Sequence, residues 1–402
     1  MDIIVQKFGG SSVADAKKLG NVAGRVIDAY NEGQSVVVVV SAQGDTTDDL
    51  LEKAAEVNPS ASKREMDVLL STGEQISMSL LAMTIEKLGY PVVSLTGWQA
   101  GIVTNSKYGK ARIKSINVER IIKELDSKRI VIVAGFQGLN KYDDITTLGR
   151  GGSDTTAVAL AAGLHAKACE IYTDVDGVYT ADPRIVKNAK KLNDISYDEM
   201  LELASLGANV LQNRSVEMAS KYNVKLEVKS SFEKVPGTLI KGVSKVEKML
   251  VRGVTKDDNV VLLSLVNIEN TPGKAFKIFS MLAKENINVD VILQSIGRGD
   301  TKDITFTIDE SNAVTAVKVL NDNLSMLGAQ SIECARNISK VSVVGAGMAS
   351  NPGVASLMFE ALYDVGININ MISTSEIKIS VLIDQKDSEK AVRAIHDKFN
   401  LA

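Results

Sequence analysis

Twice in this chain a Gly-Gly-Ser loop stands between an apolar extended segment and an Ala-rich helical one, and no other feature restricts the fold as much. The first is Lys7-Phe8-Gly9-Gly10-Ser11-Ser12, directly after Ile3-Ile4-Val5. The second is Gly149-Arg150-Gly151-Gly152-Ser153-Asp154-Thr155-Thr156, leading into residues 157–164. Paired glycines let backbone N–H groups close on an anion, and a helix start adds partial positive charge. With Lys7 and Arg150 at the two loops, the pair is predicted to hold two anions, which points to phosphoryl transfer. Neither a Gly-x-x-x-x-Gly-Lys-[Ser/Thr] loop nor a protein-kinase signature is present, so another phosphate-handling fold is needed.

A chain of 402 residues, 45% hydrophobic and 24% charged, has material for two or three domains. Its net charge of −3 argues against a general affinity for nucleic acid or an anionic membrane. Cys169 and Cys334 stand far apart without a CxxC, which predicts a reducing, cytoplasmic setting with no disulfide or zinc site. Two histidines, His165 and His396, are too few for a His-based metal centre or catalytic triad. The N-terminus does not read as a signal peptide, and no apolar run approaches transmembrane length. In such a setting Asn213-Arg214-Ser215 and Asn337-Ile338-Ser339 carry no meaning as glycosylation patterns.

Apolar β-branched runs at 3–5, 36–40, 91–95, 130–133 and 168–173 are predicted buried strands. Between them 14–30, 68–88, 118–125 and 156–164 are predicted helices. The alternation predicts an α/β domain with a largely parallel central sheet. Asn140-Lys141-Tyr142-Asp143-Asp144 is a hairpin tip ahead of the second glycine loop. Past a boundary marked by Pro236-Gly237, the chain repeats itself. Pro272-Gly273-Lys274-Ala275 returns as Pro352-Gly353-Val354-Ala355, and the register holds through Phe279/Phe359, Leu282/Leu362, Asn288/Asn368 and Ile292/Ile372. Two such units can bury their sheet edges against each other. Val341-Ser342-Val343-Val344-Gly345-Ala346-Gly347 imitates a dinucleotide fingerprint, but Ser350 replaces the third glycine, so it is predicted to be a strand and turn of the repeat.

The chain resembles the aspartokinases of the amino-acid kinase superfamily over nearly its whole length. The two glycine loops carry the likeness, together with Ser41-Ala42-Gln43-Gly44-Asp45-Thr46-Thr47-Asp48, Ser71-Thr72-Gly73-Glu74 and the stretch from Tyr172-Thr173-Asp174 to Thr180-Ala181-Asp182-Pro183-Arg184. The C-terminal repeat resembles a pair of ACT regulatory domains. The resemblance implies an amino-acid kinase catalytic domain at 1–231, a linker at 232–249, and two α+β ACT domains of βαββαβ type at 250–336 and 337–402. It implies ATP-dependent phosphorylation of the L-aspartate side-chain carboxylate to 4-phospho-L-aspartate, opening lysine, threonine, methionine and diaminopimelate biosynthesis. ATP with Mg²⁺ is the co-substrate, the metal being held through the phosphates with no direct protein ligand and no prosthetic group.

Carried onto this sequence, the resemblance makes Lys7 and Asp154 the catalytic pair. Lys7, Gly9, Gly10, Ser11, Ser41, Thr173, Asp174, Tyr179, Asp182 and Arg184 fall on the nucleotide side. Thr47, Glu74, Arg150, Gly151, Gly152 and Ser153 fall on the aspartate side, with Arg150 clamping a carboxylate and Glu74 pairing the ammonium group. An ionised carboxylate needs no general base, which fits the scarcity of histidine. Asn209 stands where many relatives carry a lysine at the phosphates, which leaves more of the charge compensation to Lys7. Gln43, where relatives often have Met, is a minor change.

Effector amino acids, lysine and/or threonine, are implied at Asn270, Gly273, Ala275, Asn288, Asp290 and Gln294 in the first repeat. Asn368, Ile369, Ser375 and Glu376 are their counterparts in the second. Pairing through the ACT domains implies a homo-oligomer, a dimer at least, and an internal start near Met249 would yield a separate C-terminal subunit. The alternatives are another amino-acid kinase, of the glutamate or acetylglutamate type, and a catalytically silent amino-acid sensor. The paired repeats and the Arg150 loop disfavour the first; Lys7, Arg150 and Asp154 oppose the second.

Overall fold

The computed structural model describes residues 1–208, 210–242, 250–295, 297 and 300–402. The chain divides into two compact units. The first holds Met1–Tyr179, Lys191–Ser205 and Asn209–Val246; the second holds Thr180–Lys190, Leu206–Ala208 and Glu247–Ala402. Neither unit is a single stretch of chain.

The first unit runs β1 (Ile3–Phe8), α1 (Ala16–Asn31), β2 (Ser35–Val40), α2 (Thr46–Val57), α3 (Lys63–Lys87), β3 (Val92–Leu95), β4 (Ile102–Thr104), β5 (Ile113–Ile116) and α4 (Glu119–Asp126). It continues with β6 (Ile130–Ala134), β7 (Gln137–Leu139), β8 (Ile145–Thr147), α5 (Gly152–Gly163), β9 (Ala168–Thr173), β10 (Asp194–Ser196), α6 (Tyr197–Ser205), α7 (Asn213–Tyr222), β11 (Leu226–Ser230) and β12 (Thr238–Lys241). Among the described residues eight strands form one sheet in the order β10-β12-β11-β9-β1-β2-β6-β3, parallel from β11 to β3. The β-branched runs end up in its centre because strands buried on both faces need apolar side chains at every position. Ile4 and Phe8 join Val36, Val38, Val40, Ile130 and Ile132 in a core closed by Leu19, Val22 and Val26 of α1 and Leu81 and Ile85 of α3. Each such fully buried side chain contributes roughly 1.5–3 kcal/mol. Alternation along β1 turns Val5 and Lys7 to the opposite face. A smaller sheet, β5-β4-β7-β8, carries the hairpin that ends at the second glycine loop.

Among the described residues α3 alone could cross a bilayer by length and apolar content, its best window having a mean hydropathy of 1.3. The expectation that no segment approaches that limit is corrected to this extent. Its buried face nevertheless carries Asp67, Ser71, Glu74 and Ser77, and it packs in the core just described.

The second unit runs β13 (Gly253–Glu269), α8 (Lys274–Lys284), β14 (Val289–Gln294), β15 (Thr301–Asp309), α9 (Ala313–Asp322), α10 (Leu324–Leu327), β16 (Ser331–Val344), α11 (Val354–Asp364), β17 (Met371–Thr374), β18 (Lys378–Asp384) and α12 (Ser388–Lys398). Its antiparallel sheet has the order β14-β15-β13-β16-β18-β17. The later part of β13 pairs with β15, whereas Gly253–Asp257 pairs with the end of β16. Each repeat therefore has its own core. Leu263, Leu265, Phe306, Ile278 and Leu320 fill one; Val254, Val343, Val381, Leu362 and Ile395 fill the other. The second repeat is completed by the opening residues of β13, so the first repeat is inserted within it. The imitation fingerprint is, as expected, the end of β16 and a 3-10 turn at Ala346–Ser350.

Candidate active site

Three strand ends define the place. Lys7 and Phe8 lie beside Val39 and Val40 on one side and Ile171 and Tyr172 on the other, so the loops after β1, β2 and β9 leave the sheet together. Strand order runs away from β1 in both directions here, the arrangement at which open parallel sheets bind ligands. The amide of Ser41 donates to the carbonyl of Phe8 at 3.1 Å, and that of Gly44 to Gly10 at 3.1 Å. Gln43 ties the same two loops by donating from Nε2 to the Val13 carbonyl at 2.6 Å.

The two glycine loops are built differently. Gly10–Ser12 forms a 3-10 turn, and α1 begins only at Ala16, where Asp15 accepts from the Lys18 amide at 2.9 Å. The helix start expected after the first loop is thus displaced and already capped. The second loop runs straight into a helix, since α5 starts at Gly152 and includes Ser153 and Asp154 in its first turn. Its dipole favours an anion at that point. Lys7 Nζ meets Asp154 Oδ1 at 2.7 Å, both side chains about nine-tenths buried. At the first loop the Gly9 amide donates to the Tyr172 carbonyl at 3.3 Å. The Gly10 amide has no protein acceptor among the described residues. Gly10 also has to be glycine, because a Cβ there would lie 2.5 Å from the Ala42 carbonyl oxygen. Ser11 is exposed, while Ser12, to which sequence reasoning assigned no role, is buried with its hydroxyl unpartnered.

On the other side of the site Glu74 is 4% exposed. Its Oε1 accepts from the Ala42 amide at 3.2 Å, and Oε2 has no partner. Burial pushes its carboxyl up to about 8, because the charged form loses its hydration without gaining a cation. Such a group fits a site for a cationic ligand. Thr47 is half-buried in the first turn of α2, which leads away from the same loop as Ala42. Arg150 is exposed, Gly152 and Ser153 are buried, and Gly151 adopts φ 69°.

Thr173 ends β9 and Asp174 follows it, Thr173 Oγ1 donating to Asp174 Oδ1 at 3.0 Å. Tyr179 donates to Asp176 at 2.8 Å, and Lys191 pairs with Asp176 at 2.9 Å. Asp182 and Arg184 lie in the second unit, where they pair with each other at 2.7 Å. The Arg184 guanidinium holds the Asp182 carboxyl below the usual carboxylate range. Beneath Phe8 and the stacked Tyr172 ring sits a network missed in the sequence: Gln6, Tyr172 and Lys229 all donate to the buried Glu170 carboxylate, at 2.9, 2.9 and 2.8 Å. Asn209 and Met249 lie outside the described residues.

In the second unit Asn270, Gly273 and Ala275 surround the start of α8; Asn288 precedes the edge strand β14, and Asp290 and Gln294 lie within it. Asp290 is already engaged by Lys340, at 2.5 Å. Asn368 and Ile369 precede β17; Ser375 and Glu376 form the turn after it, where the Ser375 amide donates to Lys378.

Comparison with known proteins matches residues 2–230 to the amino acid kinase family. Residues 263–324 and 341–399 match the ACT domain. An aspartokinase of Geobacillus stearothermophilus is 52% identical over 403 residues, covering 100% of this chain and 98% of its own. Escherichia coli aspartokinase III in complex with aspartate and ADP, in its R-state, superposes with a TM-score of 0.83 at 27% identity, covering 98% of this chain and 99% of that one. The same enzyme with lysine and aspartate, in its T-state, gives 0.78 at 27% identity, covering 99% and 100%.

Proposed function

The chain belongs to the aspartokinase family, and on that premise we propose that its first unit transfers the terminal phosphoryl group of ATP to the side-chain carboxylate of L-aspartate. The buried Lys7–Asp154 pair, at the junction of the two glycine loops, is the observation that carries this reading. A carboxylate oxygen attacks the γ-phosphorus, the bond from that phosphorus to the β,γ-bridging oxygen breaks, and ADP departs with the electron pair. No proton moves, since the nucleophile is ionised at neutral pH. The barrier is repulsion between two anions, so positioning and positive charge have to lower it.

Lys7 supplies that charge at the transferred group, and Asp154, stabilised by the α5 dipole, holds Lys7 in place. Gly10 and Ser11 receive phosphate oxygens, and Gly9, Ser41, Thr173, Asp174 and Tyr179 shape the nucleotide side. Glu74 pairs the aspartate ammonium, Arg150 its carboxylate, and Thr47, Gly151, Gly152 and Ser153 line the space between. Mg²⁺ would be held by the ATP phosphates and water, its usual mode, and Asp154 is the acidic side chain suited to an outer contact. When bound, the ion would neutralise phosphate charge.

The second unit binds lysine and/or threonine at the residues named above and inhibits the first. For this division of labour 1–231 carries catalysis except for Thr180–Lys190 and Leu206–Ala208, which lie in the second unit; the linker at 232–249 adds β12 to the catalytic sheet, and the regulatory domains at 250–336 and 337–402 share β13, whose opening residues Gly253–Asp257 complete the second. The exposed edges β14 and β17, with Ile292, Leu293 and Ile372 on the surface, support a homodimer through this unit. Free Cys169 and Cys334 suit a reducing cytoplasm.

The test is aspartate-dependent ADP release with hydroxylamine trapping of the acyl phosphate, with and without lysine and threonine. Lys7→Ala is expected to lower turnover by about 100- to 1,000-fold, the usual effect of losing one transition-state donor. Full activity in Lys7→Ala, or no aspartate-dependent product from the unaltered protein, overturns the assignment.

A further inference from the structure

Arg150 makes no hydrogen bond or ion pair among the described residues, and glycines with left-handed backbones flank it, Gly149 at φ 80° and Gly151 at φ 69°. Nothing at Arg150 itself fixes its position. The two residues just before Gly149 are held from two different helices. From α3, Asp67 accepts from the Thr147 amide at 3.0 Å and from the Thr147 hydroxyl at 2.6 Å. The same carboxylate takes the Gly109 amide on both oxygens, at 3.0 and 2.9 Å. From the start of α7, Arg214 Nη1 donates to the Leu148 carbonyl at 2.9 Å. Gln212, two residues earlier, closes over Gly151, where a Cβ would lie 1.9 Å from its Cγ.

Asp67 is 1% exposed and forms no ion pair among the described residues. A buried carboxyl group needs hydrogen bonds in place of its water, and here those bonds fasten the end of β8 and the turn at Gly109. Asp67 also shares a helix with Glu74. Seven residues apart, they stand about two turns and ~10 Å apart along the axis, on one buried face with Ser71 and Ser77.

We propose that Asp67 and Arg214 are positioning residues that hold the Arg150 loop at a fixed spacing from Glu74, so that α3 sets the distance between the substrate's ammonium and carboxylate contacts. The proposal rests on the assignment of Arg150 and Glu74 to aspartate made above. Steady-state kinetics on the full chain tests it with Thr147→Val, which removes the hydroxyl donor at constant shape, Thr147→Ser, which restores it, Arg214→Met and Asp67→Asn. Thr147→Val and Arg214→Met are expected to lower kcat/KM for aspartate about ten-fold or more, the scale of a small misplacement. The KM for ATP should shift less than about two-fold, and Thr147→Ser should behave as the unaltered enzyme.

In an Arg150→Ala background neither substitution should cost anything further, since all act through one guanidinium. Asp67→Asn should follow the same pattern. Equal losses for ATP and aspartate, or full additivity with Arg150→Ala, overturn the proposal. An unchanged aspartate KM in Arg150→Ala alone overturns the assignment of Arg150. A raised KM there, with aspartate kinetics intact in Thr147→Val and Arg214→Met, overturns only the positioning.

Discussion

Glu74 offers a measurement that separates binding from folding. In the ligand-free protein, burial raises its carboxyl from 4.5 to about 8. Between those values the folded state binds more protons than the unfolded chain, so stability falls as pH rises. At ~1.4 kcal/mol per unit, linkage puts the deficit at about 2 kcal/mol at pH 6 and about 4.5 kcal/mol at pH 8.5. Glu74→Gln keeps an oxygen for the Ala42 amide and cannot ionise. Without ligand, its stability advantage over the unaltered protein should therefore grow by about 2.5 kcal/mol between pH 6 and pH 8.5. For a unit of this size that is a relative gain of roughly 5–10 °C in midpoint, readable by calorimetry at the two pH values. The same substitution should raise the aspartate KM about 100-fold, as expected for loss of a buried charge partner. If the midpoint difference stays flat with pH, the carboxylate carries no desolvation cost and the argument for a waiting ammonium site fails.

Two further outcomes follow from geometry. Gly10→Ala places a Cβ 2.5 Å from the Ala42 carbonyl oxygen, so the phosphate loop has to move; turnover should fall about 100-fold while calorimetric aspartate affinity stays within about three-fold, and near-normal turnover would remove this loop from the reacting group. His396 is fully buried against Thr180, 2.9 Å from its hydroxyl, and burial lowers its pKa below 6.5 despite Asp397 nearby; its stabilising contribution is present above pH 6.5 and lost as pH falls through the lowered value, so His396→Gln should flatten the midpoint of the second unit between pH 7.5 and 5.5.

The strands and the repeat were legible because they are written in local patterns. Valine runs such as Val36–Val40 have one stable home, the middle of a parallel sheet, and the two Pro-Gly turns mark the same helix start twice. What was illegible depends on partners distant in sequence. Nothing around Asp67 announces that Thr147 will come to lie beside it, and an acidic residue near a helix start usually reads as a favourable first-turn charge. Arg214 looks like an ordinary surface cation until its carbonyl partner at Leu148 is known. α2 went unseen, and it buries none of its residues fully. The inserted order of the two repeats was hidden for a different reason: a strand of seventeen residues carries no mark where it passes from one core to the other.

The two glycine loops looked alike in sequence, and their difference bears on how charge is distributed at the site. An anion at the second loop gains from the α5 dipole, and that place is taken by Asp154. The first loop has no such help, since its turn is 3-10 and the following helix is capped by Asp15. Positive charge for a phosphate there has to come from a side chain, and Lys7 is the one adjoining it. Lys7 is held by Asp154 as an ion pair, and an ammonium with three donors can still turn to an incoming anion. The dipole meanwhile shares the burden of Asp154's charge, so the pair does not have to break for Lys7 to act. Each loop thus supplies what the other lacks, and the ion pair of 2.7 Å is the joint between them.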